Sequence, residues 1–243
     1  MNQMDTLEVS IVIPVYNEEK VIGSLLEGIV ETVHKMKEHC EVIVVNDHSK
    51  DQTTKIIRKF AEAHKVILID SHNSQGKGGA LRAGFDLSRG RTIVMMDGDG
   101  SHQASDIPKL VEEQRKTNGL VIASRIYGGS EEFSRLRATG NLFLTWLFGM
   151  LHGRYLSDAL NGFKAFSADI YQSFEYSSNG YEIEIELLSN TLKLGRPITE
   201  VPSLELRRQG GEVKSRIVKD GFKFLWRIIF ERFKKKKART ERT

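Results

Sequence analysis

Short, largely apolar runs alternate with amphipathic segments through the first half of the sequence, and this alternation restricts the fold more than any other feature. Each run is four or five residues long, which is typical of strands buried on both faces. The runs occupy residues 9–13, 41–45, 66–69 and 93–96. Periodic apolar positions predict helices over residues 21–37, 51–64 and 76–87. Because strands that alternate with helices form right-handed βαβ units, we expect an α/β fold with a mostly parallel central sheet flanked by helices.

Polar loops follow three of the predicted strands, at residues 14–18, 46–49 and 97–101. In a parallel sheet the carboxyl ends of the strands meet at one edge, so these loops are expected to share one cleft. Asp97 and Asp99 lie in the last loop, on either side of Gly98, which leaves room for a ligand to approach the backbone. Carboxylate oxygens at this spacing suit Mg²⁺ or Mn²⁺ that also binds substrate phosphates. The alternative interpretation is a strand followed by an acidic turn.

The alternating pattern continues to a helix at 106–116 and a strand at 120–123, and then becomes less regular. Residues 130–137 are polar and are expected to form a mobile segment, and the apolar stretch 142–151 is too short to cross a bilayer. The remaining predicted elements are a strand-like piece at 159–166, a helix at 181–194, a strand at 198–206 and a helix at 217–233.

Glycine and cationic residues occur together at three further places. The segment Gly76-Lys77-Gly78-Gly79-Ala80 suits either a phosphate-binding loop at a helix N-terminus or close packing of a helix on the sheet. Arg125, Arg135 and Arg137 flank a glycine-containing segment, and Arg208 and Lys214 bracket another. Guanidinium groups bind phosphates with paired hydrogen bonds, so both segments could close over a diphosphate. Solvated loops are the alternative in both cases.

Charge is distributed unevenly along the chain. From Ser203 onward there are 14 Lys or Arg and 5 Asp or Glu, whereas the net charge of the whole chain is only +4. The helix at 217–233 combines this basic character with apolar Phe222, Leu225, Trp226 and Phe233. A basic amphipathic helix of this kind can lie in an anionic membrane surface. Alternatively, its apolar side packs on the rest of the protein and its lysines only increase solubility.

One catalytic domain at 1–215, followed by a basic amphipathic tail at 216–243, is therefore expected. The single Cys40 excludes an internal disulfide framework and a cysteine metal cluster. No secretory signal is recognised, and no apolar run approaches the roughly 20 residues that cross a bilayer. We expect a cytoplasmic protein, bound peripherally to the cytoplasmic face of a membrane.

Taken in order, the motifs resemble those of family 2 glycosyltransferases. The motifs are Pro14-Val15-Tyr16-Asn17-Glu18, Val44-Val45-Asn46-Asp47-His48-Ser49, Gly76-Lys77-Gly78-Gly79-Ala80, Asp97-Gly98-Asp99 and Ser124-Arg125. Those further along resemble the polyprenyl-phosphate sugar transferases, which include dolichyl-phosphate mannosyl- and glucosyltransferases. They are Asp158-Ala159-Leu160-Asn161-Gly162-Phe163-Lys164, Gly180-Tyr181-Glu182 and Glu200-Val201-Pro202. The resemblance implies a GT-A fold and an inverting transfer from a nucleotide-activated sugar.

The resemblance also implies roles for individual residues. Those expected to line the nucleoside pocket are Pro14, Tyr16, Glu18, Val45 and Asp47. Those expected around the Mg²⁺ or Mn²⁺ ion and the diphosphate are Asp97, Gly98, Asp99 and Ser101. Those expected to hold donor or acceptor phosphates are Arg125, Arg208 and Lys214. Asn46 replaces the first residue of the usual Asp-Asp pair, His48 replaces the usual glycine, and Ser101 stands where many members have glutamine.

The leading hypothesis is transfer of a hexose from a nucleotide-diphosphate sugar to a polyprenyl phosphate at a membrane surface. A phosphate acceptor is already anionic near neutral pH and needs cations more than a base. A second hypothesis, transfer to a glycan hydroxyl, requires a carboxylate base, and Asp158 is then the candidate. Asp99, Asp158 and Arg125 are the candidate catalytic residues. A non-catalytic protein that binds nucleic acid through the tail is a third hypothesis, but no nucleic-acid motif accompanies the basic residues, and nucleic acid is not expected as a partner.

Overall fold

The computed structural model describes residues 7–36, 38–70, 76–132, 135–208 and 217–234. Seven strands form one sheet in the order β3-β2-β1-β4-β6-β5-β7. They are β1 (Val9–Val15), β2 (Cys40–Asn46), β3 (Val66–Asp70), β4 (Thr92–Met95), β5 (Leu120–Ser124), β6 (Lys164–Ser167) and β7 (Ile198–Pro202). All neighbouring strands pair in parallel except β6, which is antiparallel to both β4 and β5. The predicted mostly parallel sheet is confirmed.

The helices cover both faces of the sheet. They are α1 (Ile22–Met36), α2 (Thr53–Ala63), α3 (Lys77–Leu87), α4 (Ile107–Thr117), α5 (Arg125–Gly128), α6 (Arg135–His152), α7 (Ala168–Gln172), α8 (Ile183–Lys193) and α9 (Ile217–Phe233), and a 3₁₀ turn (Ala104–Asp106) precedes α4. One core lies between the sheet and α1, α2 and α4, and the other lies between the sheet and α3, α6, α8 and α9. Because successive strand residues point to opposite faces, neighbours such as Ile11 and Val12 belong to different cores.

The antiparallel strand β6 determines where the preceding loop lies. Its register pairs Met95 of β4 and Ile122 of β5 with Lys164, the first residue of β6. The chain therefore enters β6 from the edge at which β4 and β5 end. This direction brings the 158–163 loop to the same edge of the sheet as Asp97 and Asp99.

The second half of the chain differs from the sequence prediction in three places. The polar segment expected to be mobile at 130–137 forms the start of α6 from Arg135, and α6 includes the apolar stretch 142–151. The strand expected at 159–166 begins only at Lys164, because the Asn161 side chain bonds to the backbone of Ala123 and Phe163 and holds an irregular loop. The strand expected at 198–206 ends at Pro202.

The helix α9 packs against α6 and α8. Ile228 and Glu231 are fully buried in this contact, and Glu231 forms ion pairs with Lys193, Arg227 and Lys234. The predicted domain boundary at 215/216 falls in a segment outside the described residues, so it stays a prediction. The described part of the tail is nevertheless fixed to the catalytic unit by apolar contacts of Phe224, Leu225 and Ile228 and by several ion pairs.

Candidate functional site

A cavity of about 310 Å³ lies beyond the carboxyl ends of β1, β2 and β4. We call it the first pocket. Its lining residues are Pro14, Val15, Tyr16, Glu18, Asp47, Gly76, Lys77, Asp97, Gly98, Asp99, Tyr181 and Arg208. The three polar loops therefore share one cleft, as the alternation of strands and helices predicted.

A second cavity, of about 210 Å³, adjoins the first, and we call it the second pocket. The residues that line both are Lys77, Asp97, Asp99, Tyr181 and Arg208. From these residues the second pocket extends past Ser101, His102 and Arg125 to one side of α6 and one side of α9. The acidic pair thus lies at the boundary between two connected spaces.

The β1 and β2 loops are held together by side-chain bonds to the backbone. Asn17 N–H donates to Ser49 Oγ at 2.9 Å, and Ser49 N–H donates to Asn46 Oδ1 at 3.1 Å. The Asn46 amide nitrogen donates to Thr54 and Asp70, each at 2.9 Å. The asparagine that replaces the usual first aspartate therefore fixes the loop to α2 and β3, while Asp47 lines the pocket.

The glycines at the start of α3 are explained by packing. Gly78 and Gly79 donate their N–H groups to Asn179 O at 2.8 and 3.3 Å, so the protein itself satisfies these donors. A Cβ at Gly78 would lie 2.5 Å from Ser178 O, which no side chain tolerates. Of the two interpretations of this segment, the structure favours close packing over a phosphate-binding loop. The close approach of residues 178–180 fixes the first turn of α3 and places Lys77 in the cleft.

Lys77 is the central cation of the site. Its Nζ lies 2.6 Å from Asp97 Oδ1 and 2.8 Å from Glu184 Oε1, and 5.2 Å from the centre of the Tyr181 ring. Burial alone would lower the pKa of Lys77, but the two carboxylates outweigh it and hold that pKa above its ordinary value. Burial would likewise raise the pKa of Asp97, but Lys77 and then His102 hold it well below its usual range. Both groups are therefore charged at neutral pH.

Asp99 has a different set of partners. Ser101 donates to Asp99 Oδ1 through both its hydroxyl, at 2.7 Å, and its N–H, at 3.0 Å. The other oxygen, Oδ2, pairs with Arg208 Nη2. Ser101 therefore orients Asp99 in this structure, and a place for Ser101 among the metal ligands stays a prediction.

The residues present suit a divalent cation that is shared with a phosphate ligand. Among the described residues, no group of three or more His, Cys, Asp or Glu side chains could hold a metal ion by itself. Asp97 and Asp99 do supply two carboxylates beside a cavity, each already matched with a cation. Mg²⁺ and Mn²⁺ are commonly bound in this way, by one or two carboxylates together with substrate phosphates and water.

Gly98 is required by the protein's own packing. A Cβ at this position would lie 2.6 Å from Val15 Cγ1 and 2.9 Å from Pro14 O. The glycine therefore lets the loop after β4 lie directly against the end of β1. This contact brings Asp97 and Asp99 next to the Pro14 and Tyr16 side of the first pocket.

Arg125 and Asp158 form a buried pair behind the second pocket. Arg125 donates to Asp158 through Nε at 2.7 Å, Nη2 at 2.7 Å and its backbone N–H at 3.0 Å, and its Nη1 lies 3.2 Å from Glu205. Burial would raise the pKa of Asp158, but Arg125 outweighs it and lowers that pKa. Asp158 lines neither pocket. A carboxylate that accepts three bonds from one arginine is a poor proton acceptor, so this geometry favours a positioning role over that of a base.

Most of the predicted site residues come together. Pro14, Tyr16, Glu18, Asp47, Asp97, Gly98, Asp99 and Arg208 line the first pocket, and Ser101 and Arg125 line the second. Val45 does not line either one, because its side chain is fully buried in the core on the α3 side of the sheet. Lys214 lies outside the described residues.

Several residues of the site were not among the predicted ones, including Lys77, Tyr181 and Glu184. Lys77 and Tyr181 each follow a glycine in a motif already noted, Gly76-Lys77 and Gly180-Tyr181, so a signal was present. His102 is buried, packs on Phe163 and has its Nε2 3.6 Å from Asp97 Oδ2. Only the folded loop after β4 shows that it faces the acidic pair.

The sheet order, the helices on both faces and the cleft after β4 are those of an α/β protein with a GT-A-type fold. Its structure is similar to the crystal structure of glucosyl-3-phosphoglycerate synthase from Mycobacterium tuberculosis in complex with Mn²⁺, uridine diphosphate and phosphoglyceric acid. The TM-score is 0.69 at 23% identity, and the match covers 93% of this chain and 78% of the other. The model of the family described as glycosyl transferase family 2 matches residues 10–172. The protein belongs to glycosyl transferase family 2.

Two relatives of the chain have names that indicate a subgroup of the family. Undecaprenyl-phosphate mannosyltransferase from Micrococcus luteus is 32% identical over 224 residues, which cover 86% of this chain and 87% of that protein. Dolichyl-phosphate beta-glucosyltransferase from Homo sapiens is 31% identical over 220 residues, which cover 81% of this chain but only 66% of the human protein. The resemblance to the polyprenyl-phosphate sugar transferases is confirmed.

Proposed function

We propose that the protein transfers a hexose, with inversion, from a nucleotide-diphosphate sugar to a polyprenyl phosphate. The observation that carries this proposal is the acidic pair, Asp97 and Asp99, at the boundary of two connected pockets. One pocket would receive the nucleotide and the other the acceptor, with the scissile bond between them. The similarity to relatives named for undecaprenyl and dolichyl phosphate supports this acceptor class.

The donor would occupy the first pocket. Tyr16 and Asp47 lie on the side formed by the β1 and β2 loops, where a nucleoside can stack on an aromatic ring and donate to a carboxylate. Asp97 and Asp99 would hold Mg²⁺ or Mn²⁺ at the diphosphate. When bound, such a cation stabilises the negative charge that develops on the leaving diphosphate. Lys77 and Arg208 lie beside the same carboxylates and would add positive charge at that place.

The acceptor phosphate would enter the second pocket. Arg125, Arg137 and Arg208 line it, so an anionic group meets guanidinium groups there. A phosphate attacks as an anion and needs no general base. Since Asp158, the base candidate for a hydroxyl acceptor, is buried and bonded to Arg125, the geometry supports a phosphate acceptor over a glycan hydroxyl.

A product assay tests the reaction. Purified protein, Mn²⁺ and a short polyprenyl phosphate are incubated with a panel of radiolabelled nucleotide sugars and then extracted with organic solvent. We expect label in the organic phase for one donor, abolished by a metal chelator. Asp99→Asn should lower transfer by about 100- to 1,000-fold, because it removes a carboxylate that would hold the cation beside the developing negative charge.

Glu112→Gln is the matched control for this assay, since it replaces an exposed carboxylate that pairs with Lys116 on the surface of α4. It should leave transfer unchanged. Label that stays in the aqueous phase as a glycan would favour the hydroxyl acceptor. Full activity of Asp99→Asn would remove the metal from the mechanism.

The same proposal includes an anionic membrane surface as the place of reaction. In the described part of the chain, no helix has both the length and the apolar character needed to cross a bilayer. However, α6 and α9 expose large apolar side chains, which we call the apolar face. It consists of Phe143, Trp146 and Met150 on α6 and Phe222, Trp226 and Phe233 on α9. Exposed Lys219, Lys223 and Arg232 lie on α9 as well, a combination that suits the interface of an anionic bilayer.

Liposome cosedimentation tests the membrane surface. Trp226 is 70% and Phe233 is 77% exposed, so replacing both by serine should leave the fold intact. The double variant Trp226→Ser, Phe233→Ser should bind anionic vesicles about tenfold more weakly, because two large apolar groups no longer leave water. Leu87→Ser, an exposed apolar residue on α3, is the control and should bind as the wild type does. Unchanged binding of the double variant would exclude the apolar face as the membrane contact; the cytoplasmic location stays a prediction.

A further inference from the structure

The second pocket has two chemically different ends. Its inner end contains the charged residues around Asp97 and Asp99, and its outer end is lined by α6 and α9. Leu136, Gly140 and Leu144 follow one another at intervals of four along α6, so they lie on one side of that helix. Gly221 and Phe224 line the pocket from α9. Arg137, Asn141 and Asp220 line the same part of the pocket, so the outer end combines an apolar strip with polar and charged side chains.

Gly140 and Gly221 have no structural reason of their own to be glycine. At most glycines of the described chain, an added Cβ would contact or clash with a neighbour, as at Gly149, where it would lie 2.6 Å from Tyr155. At Gly153 and Gly195 there is room, but φ is positive. Among the glycines that the structure describes, Gly140 and Gly221 alone combine open space within 4 Å with an ordinary φ. Glycine has a low helix propensity, so each helix contains a residue that destabilises it at the position that borders this space.

Buried polar atoms at the inner end indicate that the pocket receives a ligand. Glu184 Oε2 and His102 Nε2 are both buried and make no hydrogen bond among the described residues, although Oε2 lies 3.8 Å from Lys164 Nζ and Nε2 lies 3.6 Å from Asp97 Oδ2. Both residues are more than nine-tenths buried, and both line the second pocket. Buried polar atoms are normally hydrogen-bonded, so these two atoms, each near a charged side chain but not bonded to it, leave hydrogen-bonding capacity for a polar ligand group in this part of the cavity. The inner end thus suits the sugar and phosphate, and the apolar strip of the outer end suits an apolar chain.

We infer that the space between Gly140 of α6 and Gly221 of α9 is the slot through which the isoprenoid chain of the acceptor leaves the catalytic pocket. The inference rests on the proposed function and adds the path that the isoprenoid chain of the acceptor follows. The acceptor phosphate lies at the cationic inner end, its first isoprene units pass the two glycines, and the chain continues between Leu136, Leu144 and Phe224. The same two helices carry the apolar face, so the slot connects the site of transfer with the membrane surface.

If the isoprenoid chain passes through the slot, blocking the slot should impair acceptors that carry such a chain and spare those that do not. Gly140→Leu and Gly221→Leu place a side chain in the open space, and at both positions an added Cβ meets no described atom within 4 Å. For a polyprenyl phosphate, kcat/KM should fall at least about tenfold in each variant, because the branched chain and the leucine compete for one space. For methyl phosphate, which has no chain, kcat/KM should stay within about twofold of the wild type, and nucleotide-sugar binding should be unchanged.

Controls separate closure of the slot from general damage. Thr139→Leu puts the same side chain at an exposed position next to Gly140 that does not line the pocket, and it should behave as the wild type does with both acceptors. Gly140→Ala and Gly221→Ala provide smaller obstructions and should give smaller losses. They also keep the test decisive if a leucine variant fails to fold, which thermal unfolding would show.

The results of these assays test the slot and the proposed function separately. If the wild type transfers to polyprenyl phosphate and the glycine variants do so equally well, the slot is wrong and the function stands. Equal losses with polyprenyl phosphate and methyl phosphate also overturn the slot, because they place the damage at the catalytic residues. If the wild type uses no phosphate acceptor, the proposed function fails and the slot fails with it.

Discussion

Replacing Arg125 by methionine is expected to lower the free energy of unfolding by about 3–5 kcal/mol, because it leaves a buried carboxylate without its cation. Asp158 is only 2% exposed and accepts three hydrogen bonds from Arg125, one of them from the backbone. Methionine keeps the backbone bond and much of the side-chain volume but supplies no charge. Urea denaturation at pH 7 measures the loss.

The double variant Arg125→Met, Asp158→Asn is the control. The double variant removes the Asp158 charge and leaves Glu205, which also accepts a hydrogen bond from Ser130, without its arginine, so it should be more stable than Arg125→Met alone. A double variant that is less stable than Arg125→Met would show that the charge pairing is not the cause. In the transfer assay, Asp158→Asn should retain measurable activity, because the Asp158 carboxylate positions Arg125 and does not take a proton.

The pH dependence of stability provides a second measurement on the same pair. Arg125 lowers the pKa of Asp158 in the folded protein, even though burial opposes it. A carboxyl group whose pKa is lower when folded stabilises the protein above its unfolded pKa of about 3.9 and loses that contribution as the pH falls through the folded value. The wild type should therefore lose stability below about pH 4. Asp158→Asn should lose less over the same range, with other lowered carboxyl groups such as Glu186 still contributing.

The features that could be predicted from the sequence are those that local patterns determine. Strands buried on both faces appear as apolar runs, and parallel topology places the residues that follow them at one edge, so Asp47, Asp97 and Asp99 were correctly assigned to one cleft. Val45 was wrongly placed in the pocket lining, because a strand buried on both faces shows no alternation that would reveal which way one valine points. Its side chain lies in the core on the α3 side, near Val12 and Gly84.

The features that could not be predicted depend on contacts between distant parts of the chain. Gly78 is fixed by residues 178–180, about a hundred positions away, so the sequence left its two interpretations open. The reversed direction of β6 follows from no local signal, yet it brings Asn161 and Gly162 to the site. Likewise, the apolar residues of α9 are divided between Ile228 in the core and Trp226 at the surface only by the packing of α6 and α8.

The second large effect is expected at Arg208, which pairs with Asp99 while Lys77 pairs with Asp97. Each carboxylate of the proposed metal site is thus already neutralised by a side chain of the protein. For these carboxylates to bind Mn²⁺, Arg208 and Lys77 must give up their partners, which opposes binding of the metal alone. A diphosphate offers both cations new partners, so metal and nucleotide are expected to favour each other's binding.

Arg208→Met separates the effect of Arg208 on metal binding from its effect on transfer. Without the competing guanidinium, Mn²⁺ should bind roughly tenfold more tightly in the absence of nucleotide, a typical size for coupled sites. Transfer should nevertheless fall by about 100-fold or more, because the same guanidinium would stabilise the leaving diphosphate. Titration calorimetry with Mn²⁺ alone measures the first effect and the organic-extraction assay the second. Arg207→Met, the exposed neighbour, is the matched control and should change neither.

If Arg208→Met binds Mn²⁺ no more tightly than the wild type, the Arg208–Asp99 pair does not compete with the metal. Metal and nucleotide would then favour each other's binding only because the diphosphate is itself a ligand of the metal. Release of Arg208 and Lys77 from the carboxylates would contribute nothing.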